Sequence, residues 1–383
     1  MSWPMGIIGD KLVVHETWSG TRGGTYCYMV VSNKLVHVSR RGEQRLEGVS
    51  RAGRRRDYVY ELSLDALCRD RERVEFIVFS FTNSGGGPYP SKYVLDCISK
   101  TVVEEDISID QVLGYEVEVL NPRTIYELKI YDGYVIPMIK EINSIKKELG
   151  FDIRFRRSPR FSDTLEKPEI SRLIGLILPN WQARKKYLEV IIRTVHEIYV
   201  MVLIPYALNA KTVGYGDYKG ETYWYIELAS EFSTAIIETP SGKKYTLWYQ
   251  FSPRDWWNVV FPNWYAAMVG STPKTPRQFI RPDIMVFEGA YRYRNELLEN
   301  PPKRAWLIEA KTKITDSDLD QLRGYIESFK DIAINKLTPI IVGLERIPYK
   351  EYLEIIGYKV FEYVAPNSKG VQQYIEYIRK TMQ

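Results

Sequence analysis

The segment from Arg281 to Lys311 constrains the fold more than any other part of the chain. It holds two apolar runs of strand length, Ile284 to Phe287 and Ala305 to Ala310. Acids stand at their ends: Pro282-Asp283 opens the first and Glu309-Ala310-Lys311 closes the second. Side chains alternate along a strand, so Glu309 and Lys311 share one face while Ile308 and Ala310 take the other. A carboxylate in such a run is costly unless something compensates it. If the two runs pair, Asp283 meets Glu309, and two carboxylates held together repel unless a cation lies between them. The pattern predicts neighbouring strands that gather both acids around one hard cation, Mg2+ or Mn2+, with the Ala310 backbone carbonyl as a third oxygen. Protonated Lys311 cannot ligate that ion, but it can stabilise an anion or position an attacking water. Phosphodiester hydrolysis needs this set of groups. The bland alternative is a salt bridge from Lys311 to Asp283 or Glu309.

Pro282-Asp283 followed by Glu309-Ala310-Lys311, on strands and with a helix directly after, resembles the PD-(D/E)xK nuclease superfamily. The resemblance implies an α/β (α+β) chain whose C-terminal part has a restriction-endonuclease-like fold, a mixed central sheet flanked by helices. It implies Mg2+-dependent cleavage of DNA, with Asp283, Glu309 and Lys311 catalytic and Asp283, Glu309 and Ala310 on the metal. Gln321 and Tyr325 stand four apart on one face of the following helix. Such a pair recurs in RecB-like members, where Gln321 would position the water or the lysine; the plain reading is a surface Gln beside a half-buried Tyr. Sites of this superfamily often include a Glu from the first helix of the fold. Glu197 is the first candidate, and Glu227 and Glu231 replace it if Trp224 to Ile237 is that helix.

His196-Glu197-Ile198-Tyr199 looks like the Tyr-Glu-x-Trp/Tyr pattern of McrC-type proteins, the nuclease subunits of modification-dependent restriction systems. His196 replaces the usual Tyr, and Glu309 stands where Asp is common. That resemblance implies a partner, an McrB-type AAA+ GTPase on which a β-rich N-terminal part docks. The chain has no G-x-x-x-x-G-K-[ST] of its own. Two other readings compete: a stand-alone RecB-like nuclease, and an inactive nucleic-acid-binding scaffold.

With 383 residues the chain is too long for one ordinary core. Its pattern divides into a β-rich domain over 1–122, a helical linker over 123–180 and the nuclease domain over 181–383. Lys11–Val14, Tyr26–Val31, Leu35–Val38, Tyr58–Leu62 and Val74–Phe79 read as strands. Pro137–Leu149 reads as a helix capped by Gly150. Ser84 to Pro88 is a break, Arg156 to Pro168 a connecting stretch, and Glu104-Glu105-Asp106 a solvated loop. Lys185–Ile204 reads as a helix ended by Pro205. Tyr223–Leu228 and Thr234–Thr239 fit strands, or Trp224–Ile237 a single helix; a turn at Pro240–Lys243 then leads into the strand Tyr245–Phe251. After the motif come a helix over Ser317–Phe329 capped by Thr315 or Asp316, strands at Ile340–Leu344 and Tyr358–Tyr363, and a helix over Lys369–Met382.

The three cysteines, Cys27, Cys68 and Cys97, lie far apart without a CxxC pair, so neither zinc nor a disulfide framework is expected. The three histidines are scattered. Net charge is only +5, but arginines cluster at Arg40, Arg41, Arg45, Arg51, Arg54, Arg55 and Arg56, and again at Arg154, Arg156, Arg157 and Arg160. Beside a nuclease motif these become phosphate contacts; otherwise they are solvated loops. Trp248, Trp256, Trp257, Trp264 and Tyr265 fit packing better than base stacking. Abundant Tyr with scarce Cys and His fits a thermophile's composition. No apolar stretch is long enough to span a bilayer and no signal-peptide pattern opens the chain, so a cytoplasmic protein without a membrane partner is expected.

Overall fold

Period-2 apolar alternation dominates the first hundred residues, and it folds into one extended sheet. The computed structural model describes residues 5–19, 24–38, 43–49, 55–81, 88–118, 128–155, 165–178, 181–213, 222–226, 232–251 and 281–383. Two compact units share the chain: 1–129 with 166–188, and 130–165 with 189–383. The stretch 123–180, read from the sequence as a linker, is divided between them.

The first unit is built from β1 (Met5–Ile8), β2 (Lys11–Ser19), β3 (Gly24–Val31), β4 (Lys34–His37), β5 (Glu43–Val49), β6 (Arg55–Ser63), β7 (Arg73–Phe81), β8 (Tyr89–Asp96), β9 (Thr101–Glu105) and β10 (Glu116–Val117). The main path runs β5-β6-β2-β3-β7-β8-β9, with β1 on β2, β4 on β3 and β10 on β4. Alternation along β7 separates two cores. Phe76 and Val78 pack with Leu12, Val14 and Leu95, whereas Ile77 and Phe79 pack with Tyr26, Tyr28, Leu173 and Ile177. Short helices α1 (Leu64–Cys68) and α2 (Ile109–Val112) join strands. The acidic run at Glu104 is not a loop: it closes β9, where Glu105 pairs with Arg73 at 2.7 Å and Lys92 at 3.3 Å.

Cys68 and Cys97 form a disulfide with Cα atoms 5.4 Å apart, which corrects the expectation of none. Their spacing hides the pairing because strand register creates it. Antiparallel pairing of β7 with β8 sets Cys97 opposite Glu72, whose carbonyl accepts the Cys97 N–H at 2.9 Å, just past the end of α1.

In the second unit a π-helical turn over Tyr131–Val135 leads into α3 (Ile136–Leu149), with Pro137 in its first turn and Gly150 in the left-handed cap at φ 70°, as its sequence implies. β11 (Asp152–Phe155) pairs in parallel with β13 (Tyr223–Ile226). Helix α4 (Pro168–Ile177) belongs to the first unit, and α5 (Trp181–Leu208) passes from one unit into the other. Pro205 does not end α5 but lies inside it. A proline in a helix costs about 3 kcal/mol, yet the positions around it, Val200 to Ile204 and then Ala207 and Leu208, are all buried, and that packing outweighs the lost bond. The stretch Trp224 to Ile237 is not a helix: β13 and β14 (Ala235–Glu238) occupy its described ends.

The main sheet of this unit has seven strands in the order β12-β14-β15-β16-β17-β18-β19. They are β12 (Lys211–Val213), β14, β15 (Lys244–Tyr249), β16 (Ile284–Glu288), β17 (Arg304–Lys311), β18 (Lys336–Gly343) and β19 (Lys359–Phe361). Pairing is antiparallel from β12 through β17 and parallel from β17 to β19, a mixed sheet. Helix α6 (Arg294–Glu299) bridges β16 and β17. After β17 comes α7 (Asp316–Phe329), capped by a Thr315–Asp318 box, and its Leu322, Tyr325 and Phe329 pack on Trp248, Met285, Phe287 and Leu307. Helices α8 (Lys350–Ile355) and α9 (Lys369–Met382) complete the unit. The end of α9 meets the opposite sheet face, where the Tyr245 hydroxyl donates to the Met382 carbonyl. No helix among the described residues is long and apolar enough to cross a membrane.

Candidate active site

Strand alternation places the acids. Met285, Phe287, Ala305 and Leu307 face α7, so Asp283, Glu309 and Lys311 emerge on that same face at the strand ends. Asp283 lies one residue beyond the last β16–β17 pair, Ile284 with Ile308, and is thus opposite Glu309. The two carboxylates bracket each other's backbone: the Asp283 N–H donates to Glu309 Oε1 at 2.9 Å, and the Ala310 N–H donates to Asp283 Oδ2 at 3.0 Å. Each acid satisfies an amide that the ladder's end would leave open. A strand residue's N–H and C=O point to the same side, so the Ala310 carbonyl is directed toward Asp283 as well. Glu309 is fully buried. Its Oε2 accepts no hydrogen bond and lies 3.1 Å from Lys311 Nζ, an ion pair without hydrogen-bond alignment.

Helix α7 supplies the next layer. Asp318, held by the Thr315 cap, is 3.7 Å from Lys311 Nζ. Gln321 Nε2 donates to the Tyr325 hydroxyl at 2.7 Å, and that hydroxyl donates to the Arg281 carbonyl at 3.1 Å. The pair four residues apart thereby anchors the chain two residues before Asp283. Tyr325 is buried, not half-buried as its surface reading supposes, and Gln321 reaches the site through it.

Glu197 comes from α5 and is 1% exposed. The Tyr249 hydroxyl donates to its Oε2 at 2.5 Å, Gln250 Nε2 donates to the same oxygen at 3.3 Å, and Arg193 Nε lies 3.5 Å from Oε1. The Gln250 N–H donates to the Asp283 carbonyl at 2.7 Å, joining this carboxylate to the strand pair. Tyr249, Gln250, Arg193 and Asp318 escape a sequence reading. Their one signal is a polar pair, Tyr249-Gln250, closing an apolar strand; Arg193 also precedes Glu197 by one helical turn. Glu227 and Glu231 lie outside the described residues.

Electrostatics shows how closely these groups sit. Burial, then the Asp283 charge, pushes Glu197 up to about 8, against the opposing pull of Tyr249, Arg193 and Gln250. Glu309 is raised well above the carboxylate range by burial and by Asp283. Asp283 is raised by burial, with Lys311 and its hydrogen bonds opposing. Burial alone would lower Lys311, but the Glu309 and Asp283 charges outweigh it and keep the ammonium protonated. Asp283 and Glu309 share the half-buried Lys311 ammonium, and Glu197 has only the exposed Arg193 guanidinium beside it, an arrangement short of positive charge.

A divalent cation fits that shortage. Asp283 and Glu309 offer hard oxygens, one of them buried and accepting no hydrogen bond, and the Ala310 carbonyl adds another. Among the described residues, no three Asp, Glu, His or Cys side chains are gathered closely enough to hold an ion by themselves, so the main-chain oxygen matters to the set. His196, beside Glu197, is buried and lowered to about 3 by desolvation despite a backbone contact at Val364, so its imidazole is neutral. Trp248 is packed in the sheet core, while Trp256, Trp257, Trp264 and Tyr265 lie outside the described residues, as do the side chains of both arginine clusters apart from Arg154. That guanidinium stacks on Tyr223 at 3.7 Å and donates to its hydroxyl. Comparison with protein-family models, with curated proteins and with solved structures finds no match for the chain.

Proposed function

We propose that the chain is a metal-dependent DNA nuclease of the PD-(D/E)xK kind, with a restriction-endonuclease-like fold in its C-terminal unit. The reading rests on one observation above the rest: the reciprocal bracket of Asp283 and Glu309, with the Lys311 ammonium 3.1 Å from Glu309. The mixed sheet, with α5 before it and α7 directly after β17, supports it. Bound Mg2+ or Mn2+ would polarise the phosphate and lower the pKa of an attacking water. Asp283, Glu309 and the Ala310 carbonyl are the groups that would hold it. Lys311 presents a fixed positive charge to the anion that develops on phosphorus oxygens. Glu197, clamped by Tyr249 and Gln250, can hold or release a proton beside Asp283. Tyr325, with Gln321 bonded to its hydroxyl, positions the lead-in to Asp283.

The McrC resemblance extends the proposal to a complex, in which an McrB-type AAA+ GTPase supplies the motor this chain lacks. A stand-alone RecB-like nuclease is the second reading, favoured by the Gln321–Tyr325 hydrogen bond. DNA incubated with the full chain and Mg2+ or Mn2+, with and without such a GTPase and GTP, tests both. Metal-dependent cutting that vanishes in folded Asp283→Ala and Lys311→Ala supports a nuclease; cutting by the chain alone favours the second reading. Cutting retained in both variants removes the site, and metal-independent binding without any cutting would make the chain a scaffold.

A further inference from the structure

Gln250 follows the last residue of β15 in a conformation that side chains rarely take, with φ at 46°. Glycine holds such a turn without a Cβ penalty, and Asn or Asp are the usual exceptions. A glutamine stands there instead, 8% exposed. Its N–H donates to the Asp283 carbonyl at 2.7 Å, and its Nε2 donates to Glu197 Oε2 and to the Tyr249 hydroxyl, both at 3.3 Å. Its Oε1 is buried and accepts no hydrogen bond. Two separate costs therefore fall on one residue, a left-handed backbone and an unsatisfied amide oxygen. Both fall where the α5 carboxylate meets the strand bearing Asp283.

Resting on the metal-centred reading above, we propose that Gln250 is a positioning residue of the carboxylate cluster, its side chain holding Glu197 and its backbone N–H holding the Asp283 carbonyl. The left-handed turn is what swings the amide off the strand and toward α5.

The test is Mn2+ binding by the full chain, measured by calorimetry and by the shift in thermal midpoint, in Gln250→Gly. Glycine relaxes the turn, which offsets part of the two hydrogen bonds lost with the side chain, so the variant should stay folded with a metal-free midpoint near or modestly below wild type. Without the Nε2 donor Glu197 is no longer held beside Asp283, and Mn2+ affinity should fall roughly 10–100-fold, the range for residues that orient a metal site from behind its ligands. Gln250→Asn tolerates the same turn, but its amide is one methylene too short for Glu197, so it should lose affinity likewise. Wild-type affinity in either folded variant overturns the inference. If the wild-type chain binds no Mn2+, the metal-centred reading falls first. If Asp283→Ala loses Mn2+ and both Gln250 variants keep it, that reading stands and only the role of Gln250 is refuted.

Discussion

Asp283→Asn separates charge from hydrogen bonding at the centre of the site. The asparagine carbonyl can still accept the Ala310 N–H now bonded to Asp283 Oδ2 at 3.0 Å. What disappears is a negative charge that raises both Glu197 and Glu309. A unit charge some 5 Å from another, at an effective dielectric near 20, is worth about 3 kcal/mol. Loss of the attraction to Lys311 offsets much of that, and burial already works against full charge on the neighbouring acids. The net expectation is stabilisation by about 1 kcal/mol without metal, or about 2–4 °C for a unit of this size. Asp283→Ala also removes the charge but strands the buried Ala310 amide, at a cost of about 1–3 kcal/mol. The asparagine variant should therefore melt above wild type in EDTA and the alanine variant below the asparagine variant. Added Mn2+ should raise the wild-type midpoint, by about 2.7 kcal/mol of stability at a hundredfold excess over Kd, and leave both variants unmoved. Thermal unfolding followed by circular dichroism reads all of this. An asparagine variant as unstable as alanine, or one that keeps its Mn2+ increment, would refute the reasoning.

Three further expectations follow from the same contacts. Tyr325→Phe removes the donor to the Arg281 carbonyl and should cost about 1–2 kcal/mol while slowing cleavage about tenfold or more; an unchanged rate would detach α7 from the site. Arg304 holds the Glu288 carboxyl below its ordinary 4.5 through contacts at 3.0 and 3.1 Å. A lowered folded value means stability that is full above 4.5 and lost as pH falls through the folded value. Glu288→Gln should then cost about 1 kcal/mol near neutral pH and almost nothing in strong acid, and a pH-independent difference in denaturant midpoints would contradict it. Reducing the Cys68–Cys97 bond, which spans 29 residues of sequence, should destabilise the first unit by about 3–4 kcal/mol; identical denaturation with and without reductant would argue against the bridge.

Short-range chemistry was legible in the residues themselves. The strand edges near Ile284 and Ala310, the Gly150 cap, the Thr315 cap and the amphipathic face of α7 all follow from period, turn residues and capping, which act within a few positions. So did the pairing of Asp283 with Glu309, because two apolar runs bearing acids have few ways to hide them. Pro205 misled because a proline's local cost is visible in sequence, whereas the burial of Leu203, Ile204, Ala207 and Leu208 is not. Trp224 to Ile237 was undecidable locally; β11, far away in the chain, supplies the partner that makes β13 a strand.

The sequence alone determined that Glu309 and Lys311 share one face of their strand, since side-chain alternation is a property of the backbone; the sheet register then brought Asp283 opposite Glu309. Tertiary structure decided what surrounds them. Tyr249 and Gln250 clamp Glu197, Asp318 meets Lys311, and Cys97 meets Cys68 because sheet register and helix packing carry distant residues together. Those partners are set by long-range geometry, for which no spacing along the chain is a signal.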